Sequence, residues 1–142
     1  MSTNKERTGR IIIKVEKNHK GRFLKQFDII FVDFGTGQGH EKQGKRPCIV
    51  LSNNIMNRSS SNIVVAPLTK YSNKIDKSGK AKILNTHVIL SKKFYKQLPY
   101  TSIVQVEDIR SISKDRVVEW IGDLSGRDQE LIHGAERFVL GL

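Results

Sequence analysis

The 142-residue chain has one cysteine, Cys48, so no disulfide can form within it. A reducing compartment, the cytoplasm, is the expected location. Its four histidines, His19, His40, His87 and His133, lack the spacing that would gather them around a metal with the single thiol. No apolar run approaches the length of a membrane span or signal core, since Ile11-Ile12-Ile13 is cut short by Lys14. The expectation is a protein that works without metal, cofactor or membrane. Acidic residues are also scarce: 14 Asp and Glu against 25 Lys and Arg leave a net charge of +11. That imbalance points to a polyanionic partner.

The charge is unevenly placed. Residues 1–26 carry eight Lys and Arg against two Glu, and residues 70–96 carry eight Lys against Asp76 alone, whereas carboxylates gather after Gln97. The pattern predicts a molecule with one basic side suited to phosphates. The length suits one domain, expected over residues 27–142, behind a basic and partly disordered extension over residues 1–26. Within that extension Ile11–Val15 either forms a short strand or lies against the domain.

Residues 27–34 are apolar on both faces, as a central strand requires. The glycine-rich segment that follows, residues 35–39, is expected to be a mobile loop, and it lacks the Lys-Ser/Thr ending of a nucleotide-binding loop. Two β-branched runs, residues 47–53 and 62–68, flank a polar Asn/Ser segment and predict a hairpin with a long loop. Symmetric antiparallel pairing, with partner numbers summing to about 115, sets Arg46 opposite Thr69. The lead-in loop carries His40 and Glu41 to the same end. Residues 70–82 read as an exposed, lysine-rich loop beside it. Short strands are expected over 86–91, 100–106, 109–112 and 118–122, and many short strands without βαβ alternation predict a small closed or half-closed barrel. Ser125 caps a final helix with Asp128 in its first turn and an apolar face of Leu131, Ala135, Phe138 and Leu142, packed on the barrel or on a second subunit.

The segments FDIIFVDF at 27–34, GHEKQGKRPCIVLSN at 39–53 and APLT at 66–69 resemble the MazF/PemK toxins, endoribonucleases of bacterial toxin-antitoxin modules. Similarity continues through Thr86-His87-Val88, residues 106–110 and the terminal Leu140-Gly141-Leu142. The resemblance implies a mainly β (α+β) fold, an SH3-like barrel with a C-terminal helix. It also implies a homodimer whose paired subunits bind single-stranded RNA, restrained by an antitoxin with an acidic flexible tail. Glu107 and Asp108 match the family's base-reading strand end.

RNA is cut without metal when its 2′-hydroxyl attacks the adjacent phosphate, leaving a 2′,3′-cyclic phosphate and a 5′-hydroxyl; the site must manage protons and neutralise phosphoryl charge. Arg46 suits the phosphate, because its planar fork bonds two oxygens and stays charged. Thr69 offers a rotamer-restricted hydroxyl to the same phosphate. Glu41 is a candidate base or nucleotide-positioning group, although a neighbouring Arg46 lowers its pKa. His40 is read as a base contact or a bystander rather than the catalytic base. Lys45 and Lys70 add charge beside the pair, and Tyr71 and Tyr95, set among lysines, are candidates to stack on bases. His87 is read as structural, and Trp120 as core or interface. The competing readings on this barrel are a non-catalytic RNA binder and a gyrase poison; the Glu41, Arg46 and Thr69 set lies on an RNA-cleaving template, and a gyrase poison has no need of it.

Overall fold

The computed structural model describes residues 23–35 and 44–142. The chain runs β1 (Asp28–Asp33), β2 (Lys45–Val50), α1 (Asn54–Ser59), β3 (Asn62–Lys70), β4 (His87–Leu90), β5 (Ser102–Gln105), β6 (Arg110–Ser113), β7 (Val117–Asp123) and α2 (Gly126–Leu140). Single 3₁₀ turns at Tyr71–Lys74, Val106–Asp108 and Lys114–Arg116 lie between strands that are consecutive in the chain. All pairings are antiparallel, in the order β4-β5-β3-β2-β1-β7, with β6 added to β3. Among the described residues β4 and β7 do not pair, so the sheet is a half-open barrel.

β1 is central because it is apolar on both sides. Ile29 joins Ile49, Leu51, Ala66, Leu68, Val104 and Ile121 in one buried cluster, while Ile30 and Val32 join Cys48, Val50, Ile63, Val65 and Val117 in the other. β3 turns the corner between the two halves of the sheet. Its first residues pair with β6 and β2, and its last three, Leu68–Lys70, pair with β5. The β2–β3 register pairs Cys48 with Pro67, Ile49 with Ala66 and Val50 with Val65, the sum-of-115 register expected of the hairpin. Phe27, at φ +73°, is a bulky residue in the left-handed region, held there by its N–H to the Val50 carbonyl (2.7 Å) and by Leu124 N–H to its own carbonyl (3.0 Å).

Two elements differ from expectation. The hairpin loop contains a helical turn, α1: Asn53 Oδ1 accepts from Met56 N–H as a cap (2.9 Å), and Asn57 is 1% exposed because its amide donates to the Ser52 carbonyl and accepts from the Ser52 hydroxyl. In α2, capped by Ser125 as expected, the buried residues are Ile132 and Ala135 with Val139 beside them, whereas Leu131, Phe138 and Leu142 are exposed. The helix is rotated by roughly one residue from the expected face, because its inner side must meet β4 and the 3₁₀ turn before β6. Among the described residues no helix is long and apolar enough to cross a membrane.

Candidate active site

Gly35 and Gly44 form the neck of the β1–β2 connection. Both have positive φ, and Gly44 N–H donates to the Gly35 carbonyl (2.8 Å) while Phe34 N–H donates to that of Gly44 (2.9 Å). Residues 36–43, including His40 and Glu41, lie outside the described residues; the flanking Gly44 leads directly into Lys45 and Arg46 of β2.

Arg46, the second residue of β2, is half-buried. Its Nη1 donates to the Leu68 carbonyl (3.3 Å), while its buried Nε has no hydrogen-bond partner among the described residues. A buried donor left without an acceptor is costly, of order 1–3 kcal/mol. Two residues behind it, Cys48 is fully buried, and burial pushes its thiol well above the ordinary range despite the pull of Arg46 and Arg110. It packs as a small hydrophobe rather than reacting.

Thr69 is 7% exposed. Because Cys48 pairs with Pro67, Arg46 and Thr69, each two residues further along, lie on the same face of the sheet. Asn73, in the 3₁₀ turn after β3, donates its Nδ2 to Thr69 Oγ1 (3.4 Å). A hydroxyl that accepts from Asn73 keeps its own hydrogen for another acceptor. Asn73 was not legible in the sequence, because its contact depends on the 3₁₀ turn. Nearby, exposed Lys70 places Nζ 5.0 Å from the Tyr100 ring centroid, Tyr71 N–H donates to the Thr101 carbonyl (2.9 Å), and Lys45 is exposed. Further guanidinium groups lie around the same strand ends: Arg110 is 4.9 Å from the Phe34 ring centroid, and Arg116 Nη1 donates to the Asp33 carbonyl (3.2 Å).

Glu107 and Asp108 are on a 3₁₀ turn rather than a strand. β5 pairs Ile103 with Thr69, so Glu107 lies four residues beyond that level. Its Oε2 is 2.9 Å from His87 Nε2, and Leu84 N–H donates to His87 Nδ1 (3.1 Å), which fixes the ring proton on Nε2. Burial alone would raise the Glu107 pKa, but hydrogen bonds, chiefly that from His87, outweigh it and hold the carboxyl below its usual range. A depressed carboxyl stabilises the fold above its unfolded pKa, and that contribution is lost as pH falls through the folded one. Glu107→Gln is therefore expected to be less stable than the parent at neutral pH, with the difference closing in acid. Thermal melts of both proteins from pH 7 to 3 check this; a difference independent of pH would remove the ionic contribution. Tyr95, a stacking candidate from sequence, is instead bonded to Asp128 and Ser125 at the start of α2.

A family model described as PemK-like, MazF-like toxin of type II toxin-antitoxin system matches residues 25–139. An endoribonuclease MazF of Staphylococcus saprophyticus subsp. saprophyticus is 33% identical over 119 residues, spanning 84% of this chain and 92% of the relative. The enzyme of the same name from Staphylococcus epidermidis is 34% identical over the same spans. Among solved structures, MazF from Deinococcus radiodurans aligns with a TM-score of 0.66 at 22% identity, over 84% of this chain and 97% of its own. A mycobacterial endoribonuclease in complex with its cognate antitoxin aligns at 0.64 and 22%, over 84% and 96%. Both structures share the fold.

Proposed function

The chain belongs to the PemK-like, MazF-like toxins of type II toxin-antitoxin systems, and from that premise we propose a metal-independent endoribonuclease that cuts single-stranded mRNA at selected sequences in the cytoplasm. Arg46 grips the scissile phosphate and offsets the charge that builds on its oxygens as the 2′-hydroxyl attacks. Thr69, its oxygen engaged by Asn73, donates to the same group. Glu41 takes the 2′-hydroxyl proton or positions the nucleotide, and His40, Lys45, Lys70, Tyr71, Glu107 and Asp108 contact the strand around it. The enzyme works as a homodimer, with the exposed Leu131 and Phe138 of α2 and the following Leu142 available to a second copy. The antitoxin restrains it by laying an acidic flexible tail along the basic side.

The observation that carries this reading is the half-buried guanidinium of Arg46, anchored by the Leu68 carbonyl on the face that also bears Thr69. Incubation with labelled single-stranded RNA in EDTA is expected to give fragments ending in 2′,3′-cyclic phosphate and 5′-hydroxyl. Cleavage that requires added metal, or leaves a 5′-phosphate, overturns the reading. Raising salt from 50 to 200 mM is expected to cut the rate at subsaturating RNA by roughly 50-fold, if about four phosphates are contacted at 0.7 counterions each.

A further inference from the structure

The lysine-rich segment after Thr69 is a built hairpin. Ile75 bridges to Ala81, Lys82 N–H donates to the Lys74 carbonyl (2.7 Å), and Asp76 N–H donates to that of Lys80 (2.9 Å). At the tip Asp76 Oδ1 accepts from Ser78 N–H (2.9 Å), Ser78 Oγ (2.6 Å) and Lys80 N–H (2.9 Å), and Gly79 supplies the left-handed residue at φ +86°. The one carboxylate of the segment is thus spent on the backbone, where Ser78 and Lys80 keep it readily ionised. Lys77, Lys80 and Lys82 are exposed and Lys74 is half-buried; among the described residues none of the four makes an ion pair.

Four uncompensated ammonium groups on one short hairpin repel one another, and fixing the turn prevents them from spreading apart. Such an arrangement concentrates a positive potential that attracts a polyanion. The hairpin is also tied to the candidate active site: its base follows the 3₁₀ turn whose Asn73 touches Thr69, and from there it extends roughly 10 Å.

We propose that residues 74–82 form a preorganised cationic finger that binds the sugar-phosphate backbone of RNA flanking the cut, with Asp76 as its internal clamp. This rests on the ribonuclease reading and adds a subsite to it. Ammonium groups are point charges that select phosphate rather than base, so the finger lengthens the bound strand without altering the sequence recognised.

The test uses the full chain and a pool of random 30-nucleotide 2′-O-methyl RNA, which binds but cannot be cut by 2′-hydroxyl attack. Fluorescence anisotropy measures binding between 50 and 300 mM salt. The triple variant Lys77→Ala, Lys80→Ala, Lys82→Ala is expected to bind about 10- to 100-fold more weakly at low salt, with the slope of log K against log salt shallower by about 2, or 0.7 per lost phosphate contact. Asp76→Ala separates a built finger from mere charge. It makes the protein more basic, so simple electrostatics predicts tighter binding, whereas loss of the clamp predicts several-fold weaker binding. Tighter or unchanged binding by Asp76→Ala, or an unchanged slope in the triple variant, overturns the proposal. So does a triple variant that binds RNA normally but loses binding to a poly-glutamate peptide, which would assign the hairpin to an acidic protein. Cleavage of unmodified RNA is scored separately: parent protein that binds through the lysines but does not cut leaves the finger standing and removes the nuclease.

Discussion

Replacing Arg46 with alanine is expected to lower RNA cleavage by about 10³-fold while the protein stays folded. Removal of a single preorganised donor to developing negative charge typically costs 10²–10³ in rate, and Arg46 brings a full charge and several donors in addition. Stability should change little. The substitution gives up one hydrogen bond to Leu68, worth about 1 kcal/mol, but also eliminates a buried Nε with no acceptor among the described residues, so the two effects offset. Arg46→Lys keeps the charge and loses the fork, and should retain one to two orders of magnitude more activity than the alanine variant. Cleavage rates at saturating and subsaturating RNA, beside thermal melts, settle the point: a folded Arg46→Ala protein within tenfold of the parent would take Arg46 out of the mechanism.

The register behind this prediction was legible because both hairpin strands announce themselves by β-branched runs around a nearly symmetric connection; Cys48 opposite Pro67 carries Arg46 and Thr69 to one face. β1 was legible for a similar reason, being apolar at Ile29 and Phe31 on one side and at Ile30 and Val32 on the other. What escaped the sequence was polar structure. Asn57 reads as a loop residue until the two bonds that Ser52 makes with its amide are seen. Asp76 reads as stray charge among lysines, although it organises the turn that presents them. Glu107 reads as the end of a strand, but the chain has already entered a 3₁₀ turn that directs its carboxylate to His87. In each case the deciding partner is a specific polar atom, and hydrophobic periodicity carries no information about it.

The helix α2 shows the limit of periodicity from the other side. Its apolar residues fall into two stripes, Ile132, Ala135 and Val139, and Leu131 and Phe138, and a helical repeat fits either one. The packing selects the first: Ile132 is fully buried, whereas Leu131 is 47% and Phe138 61% exposed. Ile132→Ala is therefore expected to lower unfolding free energy by about 3 kcal/mol, the usual range for emptying a buried Ile site, and by the same amount at every protein concentration. Phe138→Ala touches no core within the chain, so its cost should appear only to the extent that a second copy covers the outer stripe. Stability shared with a partner subunit depends on concentration, and urea melts at protein concentrations a hundredfold apart should separate the two variants. The Ile132→Ala midpoint should keep a constant offset from the parent, whereas the Phe138→Ala offset should vary with concentration, because that substitution weakens association. A Phe138→Ala loss as large as that of Ile132→Ala and independent of concentration would mean that α2 turns its other face inward, returning the helix to the orientation its heptad-like spacing alone suggested.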